Sequence, residues 1–463
     1  MREKDGTTRE VYSKQYEPKP EDDPLAHLEF GLKYDGVNLR LLSQVFAKLA
    51  PKEIVRFIQQ SPTGRYARQI GFLYEFLTGA TLSVEGIGGN YVPLLDPEHY
   101  ITAPSIKVAR WRVDNNLLGD RDFSPVVRLT DDIKGALGRD WRGDINKVLA
   151  GTPPALLHRA LSYLYAKETR SSFLIEREEP GRAREERFIA ALRNSGKVPV
   201  KESVTRERLT TLQNIIVDPR YAEKAFRPLQ NYVGETMPGM KQLVHYIPPP
   251  SELVESLMAG LGRSLEKMEA IFPVVQAAVT GFQFVFIHPF EDGNGRLHRF
   301  LFQDVLARRD VVPSGAALPI SAAILDDRHS YDEALEDFSR RIMAQADYAV
   351  DDRGVLTLRN GAALELFWRY PDLTRQVEFL ATVMGRAIKE LPKELSYLRH
   401  YDAAKEEIRN IVDLPDQRLG SLLHWLDANG GHLSNNKRKQ FSELTDDEVT
   451  RIEAAYAEAF GEK

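Results

Sequence analysis

The sequence contains no cysteine, which excludes disulfides, thiolate metal sites and a cysteine nucleophile. It has no membrane-length apolar run around its most hydrophobic stretch: Val274 to Ile287 falls short of the roughly 20 residues a spanning helix needs, and Gln276 and Gln283 interrupt it. It has no excess of positive charge either. With 62 Lys and Arg against 67 Asp and Glu, the net charge is -5, so no basic footprint marks it for nucleic acid. Residues 1–25 are charged, contain three prolines and lack the apolar centre of a signal peptide. No P-loop pattern (Gly, four residues, Gly-Lys, then Ser or Thr) occurs. These absences predict a soluble, cytoplasmic protein with neither membrane nor nucleic acid as a partner. At 463 residues and 43% hydrophobic content, the chain is long enough for two or three globular domains.

What the chain does have is His288-Pro-Phe-Glu-Asp-Gly-Asn-Gly-Arg-Leu-His-Arg299, set between apolar flanks. Before it, Val275, Val279, Phe282 and Phe286 recur on one helical face behind Pro273; after it, Leu297, Leu301 and Val305 recur every four residues. The spacing predicts a helix-loop-helix elbow with Gly293 or Asn294 at the second helix's start. Unpaired N–H groups and the helix dipole favour an anion there, and glycines let a phosphate approach the backbone. Arg296 and Arg299, three apart, can reach one side of that site with forks that suit phosphate oxygens. Asp292 is a hard oxygen ligand of the kind a phosphate-bridging magnesium requires. His288 is the group whose ordinary pKa fits a base acting on a hydroxyl. In an empty site Asp292 and both arginines are expected to face solvent. Asp292-Gly-Asn-Gly-Arg296 lacks the third oxygen ligand of a calcium loop.

Taken singly, a histidine before proline, a Gly-Asn-Gly turn and two helix arginines are ordinary structural features. Together they satisfy every specified position of HxFx(D/E)GNGRxxR, and the stretch resembles the signature of the Fic family. The resemblance implies a helical core that transfers AMP from ATP, with magnesium, to a hydroxyl of a target protein and releases pyrophosphate. It implies His288 as the base, Asp292 as the metal ligand, Gly293, Asn294 and Gly295 as the phosphate cradle, Arg296 and Arg299 as clamps on the outer phosphates, and Phe290 as a packing residue. The implied partner is a protein carrying a Ser, Thr or Tyr hydroxyl, possibly the chain itself. Removal of AMP, transfer of another nucleotide or phosphate, and a non-catalytic binding role on the same scaffold are the alternatives. Gly295 argues against the death-on-curing toxin branch, which carries lysine there, and an intact His288 and Asp292 argue against a bare scaffold.

The fold implied is mainly α: a helical Fic core with a β-hairpin flap, an α+β region before it and a helical region after it. Residues 1–25 read as a disordered lead-in, 26–150 as an N-terminal domain, 151–350 as the Fic catalytic domain and 351–463 as a C-terminal helical domain. Within 80–130, Gly, Pro and Asp break the helical pattern, and Tyr91 to Leu95 and Val126 to Leu129 read as short strands. Gly151-Thr-Pro-Pro154 starts a new helix. It leads into Ser172-Phe-Leu-Ile-Glu176, which resembles the family's inhibitory (S/T)xxxE(G/N) motif, except that Arg177 stands where Gly or Asn is expected. Thr81-Leu-Ser-Val-Glu85-Gly86 satisfies the same pattern literally, so Glu85 is the alternative to Glu176. Tyr232 to Ile247 has two β-prone arms about Pro238-Gly239, the place of the family's flap, which pairs with the target's main chain. Tyr331 to Met343 returns to helix; Tyr331 could stack on adenine in the family manner, a partly buried packing position being the default. Thr445 and Glu448 form a capping box for a last helix.

Overall fold

The computed structural model describes residues 18, 23–85, 87–152, 154–238, 241–313 and 315–461. Most of the lead-in expected at 1–25, Gly86 of the literal pattern and Gly239 of the hairpin turn lie outside the described residues. The lead-in ends sooner than expected, because Asp23 caps a helix that already contains Pro24 and Leu25. The chain is mainly helical, with nineteen α-helices among the described residues and three small sheets.

Four helices come first, α1 Pro24–Tyr34, α2 Leu39–Phe46, α3 Pro51–Gln60 and α4 Arg65–Thr78. Strands β1 Val92–Pro93, β2 Ile106–Val108 and β3 Val113–Asn115 form a sheet of order β1-β3-β2, with β1 parallel and β2 antiparallel to β3. The strand expected at Tyr91 to Leu95 is thus reduced to two residues. Val126 to Leu129 makes only isolated bridges, from Val126 to Asp372 and from Arg128 to Tyr100. These elements share a core running from Leu25 to Val126 and joined by Tyr370.

Next come α5 Asp131–Leu137, α6 Trp141–Ala150, α7 Pro154–Ile175, α8 Arg182–Arg193 and α9 Arg206–Ile216. The hairpin follows, β4 Val233–Met237 paired antiparallel with β5 Lys241–Tyr246, and Pro248 to Pro250 end it before α10 Ser251–Lys267. Helices α11 Pro273–Ile287 and α12 Asn294–Arg308 form the expected elbow, followed by α13 Ile320–Asp326 and α14 Arg328–Met343. α11 is buried on nearly all sides, which explains its near-continuous apolar sequence: a helix wrapped by others has no solvent face to mark with polar residues.

From residue 351 onward the sequence predicts a helical domain. The structure instead inserts a second hairpin, β6 Tyr348–Val350 with β7 Leu356–Leu358, because Asp351 accepts bonds from Arg353 and Val355 and closes a tight turn at Gly354. Helices α15 Gly361–Arg369, α16 Thr374–Ile411, α17 Asp416–Ala428, α18 Asn435–Arg438 and α19 Asp446–Phe460 complete the chain, the last with the expected Thr445–Glu448 capping box. The main core draws on residues from Ile101 to Leu391 with α11 at its centre, and α17 and α19 build a smaller core of their own with the end of α16. Among the described residues no helix is long and apolar enough to cross a membrane.

Candidate functional site

The site is built where α11 stops. His288 caps α11 in the left-handed region at φ +53° and ψ +59°, turning the chain out of the helix. Its Nδ1 lies 3.1 Å from the Val285 carbonyl; a carbonyl can only accept, so Nδ1 carries the proton and Nε2 keeps its lone pair. Burial pushes the imidazole down to about 4, with the nearby Arg227 charge acting in the same direction. His288 is therefore neutral at physiological pH.

The loop that follows is tied to itself. Asn294 receives the Phe290 N–H on Oδ1 at 3.1 Å and donates from Nδ2 to the Phe290 carbonyl at 2.7 Å. Its side chain thus braces the turn, leaving its backbone N–H as its offering to an anion. Gly293, at φ +90°, is the N-cap of α12. Asp292 Oδ1 accepts from the Gly293 N–H at 2.6 Å and from Arg296 Nη2 at 2.7 Å, and among the described residues Oδ2 has no hydrogen-bond donor.

The two arginines are not solvent-facing as expected: each is 1% exposed, whereas the Asp292 side chain is 42% exposed. The end of α7 covers them. Arg299 donates from Nε to Ser172 Oγ at 3.0 Å, and from Nη2 to the Ser172 carbonyl at 2.7 Å and Glu176 Oε1 at 2.8 Å. Arg296 donates from Nη1 to Glu178 Oε2 at 2.9 Å and lies over the Phe173 ring. Each guanidinium still keeps one buried nitrogen, Arg296 Nε and Arg299 Nη1, without a hydrogen-bond partner among the described residues, a costly state that a polar ligand would relieve.

Both carboxylates come from one turn, whose geometry accounts for the departure at Arg177. The Arg177 N–H returns to the Leu174 carbonyl and the Glu178 N–H to the Phe173 carbonyl, while Arg177 sits at φ +58°. That is a left-handed C-terminal cap, the conformation glycine and asparagine adopt most cheaply. Arg177 takes it despite its Cβ, and no ion pair joins it to Glu176 among the described residues. Burial alone would raise the Glu176 carboxyl; the Arg299 charge and hydrogen bond, aided by Arg296 and Arg328, outweigh it and hold the carboxyl below its usual range. A β-carbon on Gly295 would stand 2.2 Å from Glu176 Oε1. The carboxylate therefore rests on the α12 N-terminus, where the sequence places an anion. Glu85 lies elsewhere, exposed in a loop of the N-terminal core.

Glu176, His288, Gly295 and Tyr331 line one cavity of 620 Å³, bounded by the hairpin residues Val233 and Val244 and by Leu335 of α14. Tyr331 is 4% exposed, and its ring stacks on His298 at 5.9 Å. Among the described residues no three His, Cys, Asp or Glu are grouped to hold a metal ion.

Sequence reasoning missed Glu178, Gln213 and Arg227. Gln213, fully buried, donates to the Asp292 carbonyl and to Glu223, which in turn accepts the Glu291 N–H. Arg227 bonds main-chain carbonyls, which every residue carries, so no local pattern could have marked it. Glu178 had a signal: it lies two residues past Glu176, as Arg296 lies three before Arg299.

Residues 203–306 match the Fic/DOC family model. Over 145 residues the chain is 29% identical to Protein adenylyltransferase Fic of Nematostella vectensis, a match that spans 31% of this chain and 30% of that relative. Among solved structures, a Fic family protein from Desulfovibrio desulfuricans G20 aligns at 21% identity and TM-score 0.39, over 67% of this chain and 87% of that one. A Fic domain containing signaling protein from Bacteroides thetaiotaomicron aligns at 18% identity and TM-score 0.37, over 58% and 97%.

Proposed function

We propose that this protein transfers AMP from ATP to a hydroxyl of a protein, and that it rests in an inhibited state imposed by Glu176. The observation that carries the reading is the shared cavity: a neutral His288, Gly295 at the start of α12 and Glu176, the carboxylate that engages the buried Arg299, meet around one space large enough for a nucleotide. The supporting comparison is the relative named as a protein adenylyltransferase.

In this reading the target hydroxyl attacks the α-phosphorus while His288 Nε2 takes its proton. The new O–P bond forms as the α–β bridging bond breaks, and pyrophosphate leaves with the bridging oxygen. The backbone N–H groups of Asn294 and Gly295 receive phosphate oxygens, and Arg296 and Arg299 hold the outer phosphates. Magnesium, when bound, would neutralise charge on those phosphates; Asp292 Oδ2, which has no hydrogen-bond donor among the described residues, is the protein oxygen that fits it, since this ion keeps several water and phosphate ligands.

Glu176 opposes this by accepting from Arg299 Nη2, which keeps that guanidinium from closing on the outer phosphate. With that guanidinium engaged, ATP binds with its α-phosphate out of line, and transfer stalls. Because the Glu176 carboxylate faces the same cavity as His288, it could instead orient a water for removal of AMP, which is the second reading.

The test is incubation of the full chain with magnesium and each α-labelled NTP, alone and in lysate, followed by mass spectrometry of modified peptides. A label retained from ATP as an added AMP supports transfer. Loss of AMP from a pre-modified protein with no forward labelling supports the second reading, and neither event in wild type or in Glu176→Gly removes both.

A further inference from the structure

Arg227 is 2% exposed, and among the described residues no carboxylate forms an ion pair with it. A guanidinium buried without a counter-ion is expensive, and burial brings its pKa down to about 10. What compensates is a ring of carbonyls. Nε donates to the His288 carbonyl at 2.8 Å, Nη1 to the Leu229 carbonyl at 2.8 Å and Nη2 to the Pro249 carbonyl; its own N–H reaches the Pro289 carbonyl at 2.8 Å. Leu229 precedes β4 and Pro249 follows β5, so one side chain joins both feet of the hairpin to the peptide of His288.

Neighbouring bonds repeat the connection. Asn231 Nδ2 donates to the Phe290 carbonyl at 3.0 Å, Gln230 Nε2 to the Pro248 carbonyl at 3.0 Å, and the Tyr246 hydroxyl to the Phe286 carbonyl. His288 needs such support. A non-glycine residue at φ +53° persists only where its surroundings enforce it, and the Val285 bond that sets its tautomer depends on that backbone angle.

We infer that Arg227 is a positioning residue of the transfer reaction: it fixes the His288 main chain and both ends of the β4–β5 hairpin as one unit, so that base and hairpin keep a constant separation. This rests on the proposed function. The charged groups around His288 are Arg227 from the segment before the hairpin, Glu176 from the end of α7 and Asp292 from the loop; the carboxylates whose charge acts on Arg227 are Glu291, Glu252 and Glu223. None of these groups replaces its three carbonyl contacts.

The experiment compares Arg227→Gln and Arg227→Lys in the full chain, on the Glu176→Gly background, with folding checked by thermal melts. Arg227→Gln is expected to lower kcat about 10²-fold, the scale of a roughly 1 Å misplacement, with KM for ATP within about twofold because Arg296 and Arg299 are untouched. Arg227→Lys keeps a donor and recovers part of the loss, as does millimolar methylguanidinium added to Arg227→Gln. Independently of turnover, nitrogen NMR of His288 should show one Nδ1–H tautomer with Arg227 and a mixture in Arg227→Gln. An unchanged tautomer, or unchanged kcat in a folded variant, overturns the inference. A Glu176→Gly reference without transfer defeats the proposed function instead, and the NMR comparison then still decides whether Arg227 positions His288.

Discussion

Glu176 and Glu85 end two segments of nearly the same spelling, Ser172 to Glu176 and Thr81 to Glu85, and the second is the better match because a glycine follows it. The structure separates them completely. Glu176 leaves the last turn of α7 through a left-handed cap and meets Arg299 at 2.8 Å; Glu85 is exposed in a loop whose neighbours Leu82 and Val84 pack into the N-terminal core. The short pattern therefore describes a shape, a helix end that reverses direction, and a residue able to take φ near +60° provides it whether or not it is glycine. What makes the carboxylate consequential is the element it faces.

The largest expected effect tests whether the comparison concerns catalysis at all. His288→Ala introduced into Glu176→Gly should lower auto-modification by about 10²-fold or more, the usual loss for a positioned base, while binding of ATP and magnesium measured by calorimetry persists. Modification that survives the double change would mean that Glu176 controls something other than this site.

Next in size is Glu176→Gly itself. It removes one charge-assisted hydrogen bond from Arg299, of the order of 1.5 kcal/mol, which corresponds to a rise of about tenfold in auto-modification. Equal labelling by wild type and variant would abolish the distinction between the two glutamates. Removal of AMP from a pre-modified protein should fall in the same variant if the carboxylate also serves the reverse direction.

The pH response should be small where an ordinary histidine would make it large. With the His288 imidazole held at about 4, the base stays neutral as pH falls from 8 to 5.5, and the transfer rate of Glu176→Gly should be nearly flat there; halving near 6.5 would show a solvated ring. The same depression has a stability consequence. The unfolded chain takes up a proton on this residue below about 6.5 while the folded chain does not until about 4, so its contribution is intact above 6.5 and is lost as pH falls through that window. His298, buried and pushed down to about 3, acts in the same sense, and thermal melts between pH 7 and 5 would detect the decline.

The elbow was legible because it is local: apolar spacing fixed both helices, and the polar groups between them sit within twelve residues. The hairpin and the last capping box were legible for the same reason. The burial of Arg296 and Arg299 was not, since it depends on α7 returning from more than a hundred residues away to set Ser172, Glu176 and Glu178 over them. Nor was the β6–β7 hairpin, because three-residue arms are too short to show an alternation. Arg227 was the least accessible, its contacts being with carbonyls that carry no side-chain signature.

A smaller effect separates shape from charge at the cap. Arg177→Gly places at φ +58° the residue that suits it, and should raise stability by at most about 1 kcal/mol, while leaving auto-modification at the resting level because Glu176 still reaches Arg299. Activation by this change would mean that the Arg177 charge, rather than the turn it forms, holds Glu176 in place.

The smallest expected effect belongs to Glu85→Gly. Glu85 is exposed and makes no hydrogen bond or ion pair among the described residues, so its removal should shift the melting temperature by no more than a surface substitution does, within about 0.5 kcal/mol. Auto-modification, assayed beside Glu176→Gly under identical ATP and magnesium, should match wild type. The pairing matters, because both variants lose one carboxylate and gain one glycine and therefore change net charge equally. A general electrostatic influence on nucleotide binding would move the two together. Activation by Glu176→Gly alone assigns the switch to the place this carboxylate occupies, against Arg299 and the α12 N-terminus, whereas activation by Glu85→Gly alone would transfer the switch to the N-terminal core and leave the α7 cap as a purely structural helix end.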